Sequence, residues 1–233
     1  MCAKILVEVI SLKISGAIFD MDGTLVDSLM IWDVLWRRFG EKYLNDASFR
    51  PSEADDKAVR TLPLKVSMQL IHERYRMGQS GEELLEEANS VTLDFYRNEL
   101  EMKPGAREFL EYLKQNGVKM CIASATAPDI VAAAFERCGL GAYFDKIFSC
   151  GTIGKGKDVP DIFIESQKYL GTLTGETWVF EDSLVAVQTA ASIGMPVVGI
   201  FDRFNYGQDE IERLATEYVA EGEGLDKLIG KLL

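Results

Sequence analysis

The feature that most constrains the fold of this chain is a regular alternation of short apolar segments with helical patterns. Five segments rich in β-branched or aromatic residues have the length of strands: GAIF (16–19), VKMCIAS (118–124), KIFSC (146–150), TWVFED (177–182) and PVVGIF (196–201). Each of the last four follows a helical pattern that ends in glycine, a residue that commonly stops a helix. This alternation predicts a doubly wound parallel α/β sheet, a Rossmann-like core with right-handed crossovers.

The alternation is interrupted once, between the first and second strands. Residues 28–101 contain no convincing strand, and amphipathic helical patterns cover 29–44, 64–77 and 81–100. We therefore expect a helical-bundle cap at 28–101, inserted into an α/β core made of residues 1–27 and 102–233. The tail, 209–233, is expected to form one or two helices that cover a sheet edge.

Composition limits the classes of partner. The 233 residues carry a net charge of −12 with a pI near 4.7, which disfavours nucleic acid but allows a small anionic substrate beside a local cation. The four cysteines, at positions 2, 121, 138 and 150, form no C-x-x-C pair and are interpreted as reduced thiols. The apolar run AKILVEVI (3–10) is too short for a signal peptide or a membrane span. We expect a cytoplasmic protein, favoured as a monomer, with no membrane partner.

Acidic and polar residues follow the predicted strands. Asp20 and Asp22 follow the first strand, Ser124 ends the second, and Glu181 and Asp182 end the fourth. Ligands of open parallel sheets bind at the carboxyl ends of the strands, so we expect these side chains to meet there. Four acids at one rim would repel one another without a cation, and carboxylate oxygens are suited to Mg²⁺.

The loop after the third strand, CGTIGKGKDVPD (150–161), adds Lys155 and Lys157 to this rim. One aspartate could attack phosphorus as a nucleophile, and the other could protonate the leaving oxygen and later activate water. A lysine and the metal would stabilise charge on the transferring phosphoryl group. The rim therefore has the residue types needed for phosphoryl transfer.

Four segments together resemble the motifs of the haloacid dehalogenase-like superfamily, and within it the β-phosphoglucomutase-like group with a helical cap. They are DMDGTLVDS (20–28), IASATAP (122–128), GKGKDVPDIF (154–163) and VFEDSLVAVQTAASIGM (179–195). Their order is the family's, and they extend over most of the chain. Asp158 and Val159 replace the family's usual Pro-Ala after the lysine, and Ala186 replaces a common glycine, but no reacting group is lost.

The resemblance implies roles in phosphoryl transfer. Asp20 would be the nucleophile and Asp22 the general acid and base. Ser124, with the backbone N–H groups of Met21 and Ala125, would bind the phosphoryl oxygens. Because dehalogenases and P-type ATPases of the superfamily generally lack an aspartate at the position of Asp22, the resemblance points to phosphate esters.

The resemblance also implies a lysine and a metal site. Lys157 would neutralise Asp20 and the phosphate. Mg²⁺ would be bound by the carboxylates of Asp20 and Asp182, by the backbone carbonyl of Asp22, and by Glu181 directly or through water. We therefore expect a Mg²⁺-dependent phosphatase that acts on a small phosphorylated metabolite, a phosphosugar by group resemblance, through an aspartyl-phosphate.

Several alternatives were weighed against this interpretation. GTIGKGKD (151–158) matches most of a P-loop, but Asp158 stands where Mg²⁺ binding needs Ser or Thr, so the nucleotide-hydrolase interpretation is rejected. The acidic segment at 181–183 could be only a helix N-terminus. A β-phosphoglucomutase-like phosphomutase remains open, as does a catalytically silent protein that binds a metabolite or a partner.

The cap carries no motif that fixes the substrate. His72, the only histidine, is expected to be a solvated surface residue. Trp32 and Trp36 are expected to pack in the cap core, with lining of the substrate cleft as the alternative. Four cap cations could hold a second anionic group of the substrate or could simply be solvated: Arg37, Arg38, Arg60 and Lys65.

Overall fold

The computed structural model describes residues 13–233, so Cys2 and the apolar segment at 3–10 lie outside the described residues. Six strands form one parallel sheet in the order β3-β2-β1-β4-β5-β6. The strands are β1 (Gly16–Phe19), β2 (Lys119–Ser124), β3 (Ile147–Ser149), β4 (Thr177–Glu181), β5 (Val197–Ile200) and β6 (Glu217–Val219). The predicted doubly wound parallel sheet is confirmed, with β1 near its centre.

Ten α-helices lie within the described part of the chain. They are α1 (Ile31–Phe39), α2 (Glu53–Thr61), α3 (Leu64–Tyr75), α4 (Gly81–Asn98), α5 (Ala106–Gln115), α6 (Pro128–Cys138), α7 (Cys150–Ile153), α8 (Asp161–Leu170), α9 (Leu184–Ser192) and α10 (Gln208–Leu214). None of the helices within residues 13–233 is both long enough and apolar enough to cross a bilayer.

The chain divides into two compact units. The first, which we call the sheet unit, comprises residues 13–25, Lys103–Ala125 and Tyr143–Leu233. The second, which we call the helical unit, comprises Val26–Met102 and Thr126–Ala142. The helical unit thus includes α6, which lies outside the segment 28–101 expected from the sequence.

The central strands of the sheet unit are buried on both faces, as the apolar character of GAIF requires. On one face, Ile18 pairs in register with Cys121 and Val179 and packs in a cluster with residues of α8, α9 and α10. On the other face, the Phe19 ring stacks on Phe180 at 4.2 Å between centroids. Buried side chains therefore pack against both faces of the sheet at β1.

The tail differs from the expectation of helices alone. Residues 217–219 form β6, which pairs with β5 in the register Val198↔Glu217 to Ile200↔Val219. A three-residue strand carries too little alternation to be recognised in the sequence, and its backbone hydrogen bonds to β5 are what stabilise it. The prediction for 209–233 was therefore wrong at the sheet edge.

The helical unit is built from amphipathic helices. α3, α4 and α6 bury aliphatic and aromatic side chains such as Met68, Leu84, Phe95 and Val131. Ser52 and Ser80 cap α2 and α4 by accepting hydrogen bonds from the backbone N–H groups of Asp55 and Glu83. α2 itself was missed by the sequence analysis because its segment, EADDKAVRT, is mostly charged and polar.

Candidate active site

The sheet topology brings the ends of three neighbouring strands to one rim. β1 lies between β2 and β4, and Phe19 is in register with Ile122 and Phe180. Asp20 follows β1, Ser124 ends β2 and Glu181 ends β4. The chain leaves β1 through a tight turn in which the Leu25 N–H donates to the Met21 carbonyl at 2.9 Å. Gly23 adopts φ 79° there, a conformation that favours glycine.

Lys157 lies between two carboxylates of this rim. Its Nζ donates to Glu181 Oε1 at 2.5 Å and also to Asp20 Oδ1. Burial acts to lower the pKa of Lys157, but the negative charges of Asp20 and Glu181 raise it more, and the net pKa lies above its usual value. Lys157 is therefore a fixed cation at this rim.

Lys155, the other candidate lysine, does not join this group. It forms an exposed ion pair with Asp161 at 2.5 Å, at the start of α8. The structure thus selects one of the two lysines that the sequence placed in the loop after β3.

Burial alters the titration of the aspartates. It raises the pKa of Asp20 to about 7, since the lowering by Lys157 does not offset burial and the repulsion from Glu181 and Asp22. Burial also raises the pKa of Asp182 well above its usual range, and the charges of Asp20 and Glu181 add to this effect. Only 8% of Asp20 and 2% of Asp182 are exposed to solvent.

The donor set fits a divalent cation. Carboxylate oxygens of Asp20, Glu181 and Asp182 all lie within 4.8 Å of one another. When they are ionised, these three carboxylates exceed the single positive charge of Lys157, so a cation bound among them would reduce their mutual repulsion. Hard oxygen donors at this density suit Mg²⁺, and a bound cation would return the pKa values of Asp20 and Asp182 toward the ionised range.

Glu181 is held by more than Lys157. Its Oε2 accepts hydrogen bonds from the backbone N–H groups of Asp182 at 3.2 Å and Ser183 at 3.1 Å, just before α9. A carboxylate at a helix N-terminus is favoured by the helix dipole. The interpretation of this acid as a helix-terminus residue is thus correct in part, since the same side chain also pairs with Lys157.

Two residues that sequence reasoning missed hold Asp182. Thr24 Oγ1 donates to Asp182 Oδ1 at 2.9 Å. Asn205 Nδ2 donates to Asp182 Oδ2 and, at 3.1 Å, to the Asp182 backbone carbonyl. Thr24 lies inside the first motif, DMDGTLVDS, for which the sequence analysis gives Thr24 no role. Asn205 follows β5, and the only available signal was that this loop leaves the carboxyl end of a strand.

The remaining predicted residues lie at the same rim. Asp22 is half-buried, and its negative charge contributes to raising the pKa of Asp20. Ser124 lies two residues after Ile122, which is in register with Phe19. Ser124 and Met21 are buried, and Ala125 is exposed. The structure therefore places Asp20, Asp22, Ser124, Lys157, Glu181 and Asp182 at one rim of the sheet, and their roles stay predictions.

The helical unit engages two of its candidate cations internally. Arg38 forms ion pairs with Asp94 at 2.7 Å and Glu99 at 2.8 Å. Arg60 pairs with Asp56 at 2.7 Å, and its guanidinium lies 5.6 Å from the centroid of the Trp32 ring. These two arginines already have anionic partners within their own unit.

Trp36 is buried in the helical unit, and its Nε1 donates to Asp56 Oδ1 at 2.8 Å. The half-buried Trp32 has its ring centroid 5.7 Å from that of Trp36. His72 is half-buried rather than a solvated surface residue, and its Nδ1 donates to the Met77 carbonyl at 2.7 Å. The sequence prediction was wrong there because the chain turns back over the end of α3 at Arg76, which has φ 57°.

Comparison with known proteins assigns the class. The family model for haloacid dehalogenase-like hydrolases matches residues 14–194. The chain therefore belongs to the haloacid dehalogenase-like hydrolases, as its motifs indicated.

Individual relatives agree with this class. A Thermotoga maritima protein named "Phosphorylated carbohydrates phosphatase" is 26% identical over 91% of this chain and 97% of its own length. A Drosophila melanogaster protein named "Probable pseudouridine-5'-phosphatase" is 31% identical over 82% of this chain and 83% of its own. A crystal structure of a candidate beta-phosphoglucomutase from Thermotoga maritima has a TM-score of 0.76 and 26% identity, and covers 88% of this chain and 94% of that one. The protein is a phosphoric monoester hydrolase of this family.

Proposed function

We propose that this protein is a Mg²⁺-dependent phosphatase that hydrolyses a small phosphorylated metabolite, a phosphosugar, through an aspartyl-phosphate at Asp20. The observation that carries the proposal is the cluster of Asp20, Glu181 and Asp182 at the rim of the sheet, in which Lys157 pairs with Asp20 and Glu181. Such a group has a chemical purpose when it binds a cation and an anionic substrate together.

In the first step, an Asp20 carboxylate oxygen attacks phosphorus while the bond between phosphorus and the ester oxygen breaks. Asp22 donates its proton to the departing alkoxide, so that the product leaves as an alcohol. Lys157 offsets negative charge beside Asp20, and Ser124 with the N–H groups of Met21 and Ala125 binds phosphoryl oxygens.

In the second step, water attacks phosphorus and the bond to Asp20 breaks. Asp22 now accepts the proton of the water, so that inorganic phosphate leaves and both aspartates return to their starting forms. A divalent cation held by Asp20, Asp182, Glu181 and the Asp22 carbonyl would supply positive charge to the phosphoryl group in both steps.

The proposed substrate class is supported by the names of related proteins and not by side-chain contacts in the structure. The Thermotoga maritima relative is named for phosphorylated carbohydrates, and an Escherichia coli relative, 25% identical over 74% of this chain, is named "Hexitol phosphatase B". Because these relatives are named phosphatases, hydrolysis is favoured over the phosphomutase alternative.

The test is release of p-nitrophenol from p-nitrophenyl phosphate with and without Mg²⁺, by the wild type and by Asp20→Asn. We expect metal-dependent turnover in the wild type and a loss of at least about 10⁴-fold in the variant, since the nucleophile is removed. A variant with wild-type turnover would refute the aspartyl-phosphate. A panel of phosphosugars, phosphoglycolate and FMN would then test the substrate class.

A further inference from the structure

The loop that follows β5 contacts Asp182 more closely than a connecting loop needs to. Asn205 Nδ2 donates both to the Asp182 carboxylate and to the Asp182 backbone carbonyl, so that one amide contacts two parts of the same residue. Thr24 donates to the other carboxylate oxygen. Each Asp182 carboxylate oxygen thus has a donor, and the side chain is fixed in one orientation.

The position of Asn205 is itself fixed by hydrogen bonds within the loop. Its backbone N–H donates to the Asp202 carbonyl at 3.0 Å, and Gln208 Nε2 donates to that same carbonyl at 3.0 Å. The Asp202 carboxylate accepts from the Phe204 N–H at 2.9 Å. The loop is therefore a closed turn that presents the Asn205 amide to Asp182.

A buried ion pair holds this turn to the rest of the sheet unit. Lys103 Nζ contacts Asp202 Oδ2 at 2.6 Å, and only 1% of the Asp202 side chain is exposed. Burying two charges brings little net stability, so such a pair is better explained by the single conformation that it imposes. It fixes the start of the loop that carries Asn205.

An uncharged donor is the appropriate partner for Asp182. The carboxylate already faces the negative charges of Asp20, Glu181 and Asp202. A lysine or arginine in place of Asn205 would neutralise Asp182 and compete with a cation for its charge. An amide instead orients the carboxylate while leaving its charge and its remaining lone pairs available.

We propose that Asn205 is a positioning residue, which orients the Asp182 carboxylate for the divalent cation of the acidic cluster. This inference rests on the proposed function, because it assumes that the cluster binds Mg²⁺. Hydrogen-bond partners of metal ligands typically contribute 10- to 100-fold to metal affinity. Loss of the Asn205 amide should therefore weaken Mg²⁺ binding without unfolding the protein.

The experiment is isothermal titration calorimetry with Mg²⁺ alone on the metal-free full chain. Asn205→Leu keeps the volume of the side chain and removes its donors. Asn116→Leu is the matched control, since the Asn116 amide donates to the Tyr112 carbonyl at 2.8 Å in an exposed part of the same unit. Thermal unfolding of each metal-free variant shows whether the fold is retained, and the smaller Asn205→Ser is a second variant in case leucine disturbs the loop.

We expect the Kd for Mg²⁺ to rise at least about 10-fold in Asn205→Leu or Asn205→Ser and to stay within about twofold in Asn116→Leu. An unchanged Kd in folded Asn205 variants, with normal binding by the wild type, would overturn the positioning role alone. A wild type that binds no Mg²⁺ would overturn the proposed metal site and this inference with it.

Discussion

Charged side chains are arranged differently in the two units of the molecule. In the sheet unit, the carboxylates of Asp20, Glu181 and Asp182 lie within 4.8 Å of one another, all three residues are nearly buried, and two of the three pair with Lys157. In the helical unit, opposite charges are paired in partly exposed positions, as in Arg38 with Asp94 and Glu99. Like charges are concentrated at this rim of the sheet unit, whereas the helical unit and the rest of the sheet unit pair opposite charges, as in Lys103 with Asp202.

This difference indicates that the acidic cluster is a binding site, whereas the surface ion pairs are structural. An unbalanced, buried set of charges raises the free energy of the folded protein unless a ligand compensates it, so its presence points to a ligand. Matched pairs near the surface contribute little and need nothing further. This contrast predicts different effects of substitution in the two places.

The largest effect is expected for Lys157→Met. Removal of the ammonium group that pairs with both Asp20 and Glu181 should lower kcat/KM for p-nitrophenyl phosphate by about 10²- to 10³-fold. It should also lower the free energy of unfolding of the metal-free protein by about 3 kcal/mol, because buried carboxylates lose their partner. Urea denaturation with a chelator measures the second effect.

Lys155→Met is the matched control for this substitution. Lys155 lies two positions away and pairs with Asp161 at the surface. Its loss should change activity by less than about twofold and Tm by less than about 2 °C. If the two substitutions lowered activity and stability equally, then burial and the neighbouring acids would not make Lys157 different from a surface lysine.

The next effect concerns the metal. At a Mg²⁺ concentration 100 times its Kd, the wild type should gain about 2.7 kcal/mol in free energy of unfolding. Asp182→Asn removes a ligand and should lose most of this gain. Asp161→Asn, a change at an exposed acid, should keep the full gain. Equal Mg²⁺ stabilisation of Asp182→Asn and wild type would contradict the metal site.

A smaller effect is expected from pH in the presence of a chelator. The pKa of Asp20 is about 7 in the folded protein against about 3.9 for an unperturbed aspartate. Between these values the folded state binds more protons than the unfolded state, so the free energy of unfolding falls as pH rises. From pH 5 to pH 7, Asp20 should account for a loss of about 2 kcal/mol.

Asp20→Asn isolates this contribution, because the variant cannot titrate at that position. Its free energy of unfolding, measured by urea denaturation at several pH values, should decline less steeply than that of the wild type. The decline should not vanish, since the pKa of Asp182 is also raised. Parallel curves for the two proteins would mean that Asp20 has an ordinary pKa.

Much of the sheet unit could be predicted because its signals are local in the sequence. Five strands and the helices between them follow from composition and from glycines at helix ends, and Asp20, Glu181 and Asp182 adjoin strand ends. β6 could not be predicted, because a three-residue strand depends on its pairing with β5. α7 was also not predicted, because a helix of four residues, Cys150–Ile153, is too short to show a helical pattern in the sequence.

The parts of the site that could not be predicted are those that depend on distant residues. Asn205 is 23 positions from Asp182, and Lys103 is 99 positions from Asp202. Neither pair carries a pattern that a single sequence reveals, since each is created by two loops that meet at the same rim. Motifs identify the reacting groups, whereas their positioning partners appear only when the chain is folded.

The smallest effect is expected for Arg38→Gln in the helical unit. The Arg38 guanidinium contacts two carboxylates whose side chains are 44% and 42% exposed, so solvent and salt screen both pairs. Tm should fall by less than about 3 °C, and this difference should shrink in 1 M NaCl.

KM for the best phosphosugar in the panel should change by less than about twofold, because Arg38 is already engaged by Asp94 and Glu99. A tenfold rise in KM with unchanged Tm would mean that Arg38 exchanges these carboxylates for the substrate. The ion pairs of Arg38 with Asp94 and Glu99 would then exist only in the protein without substrate. Arg38 would belong to the substrate-binding site. Steady-state kinetics and thermal unfolding of the same preparation decide between these two outcomes.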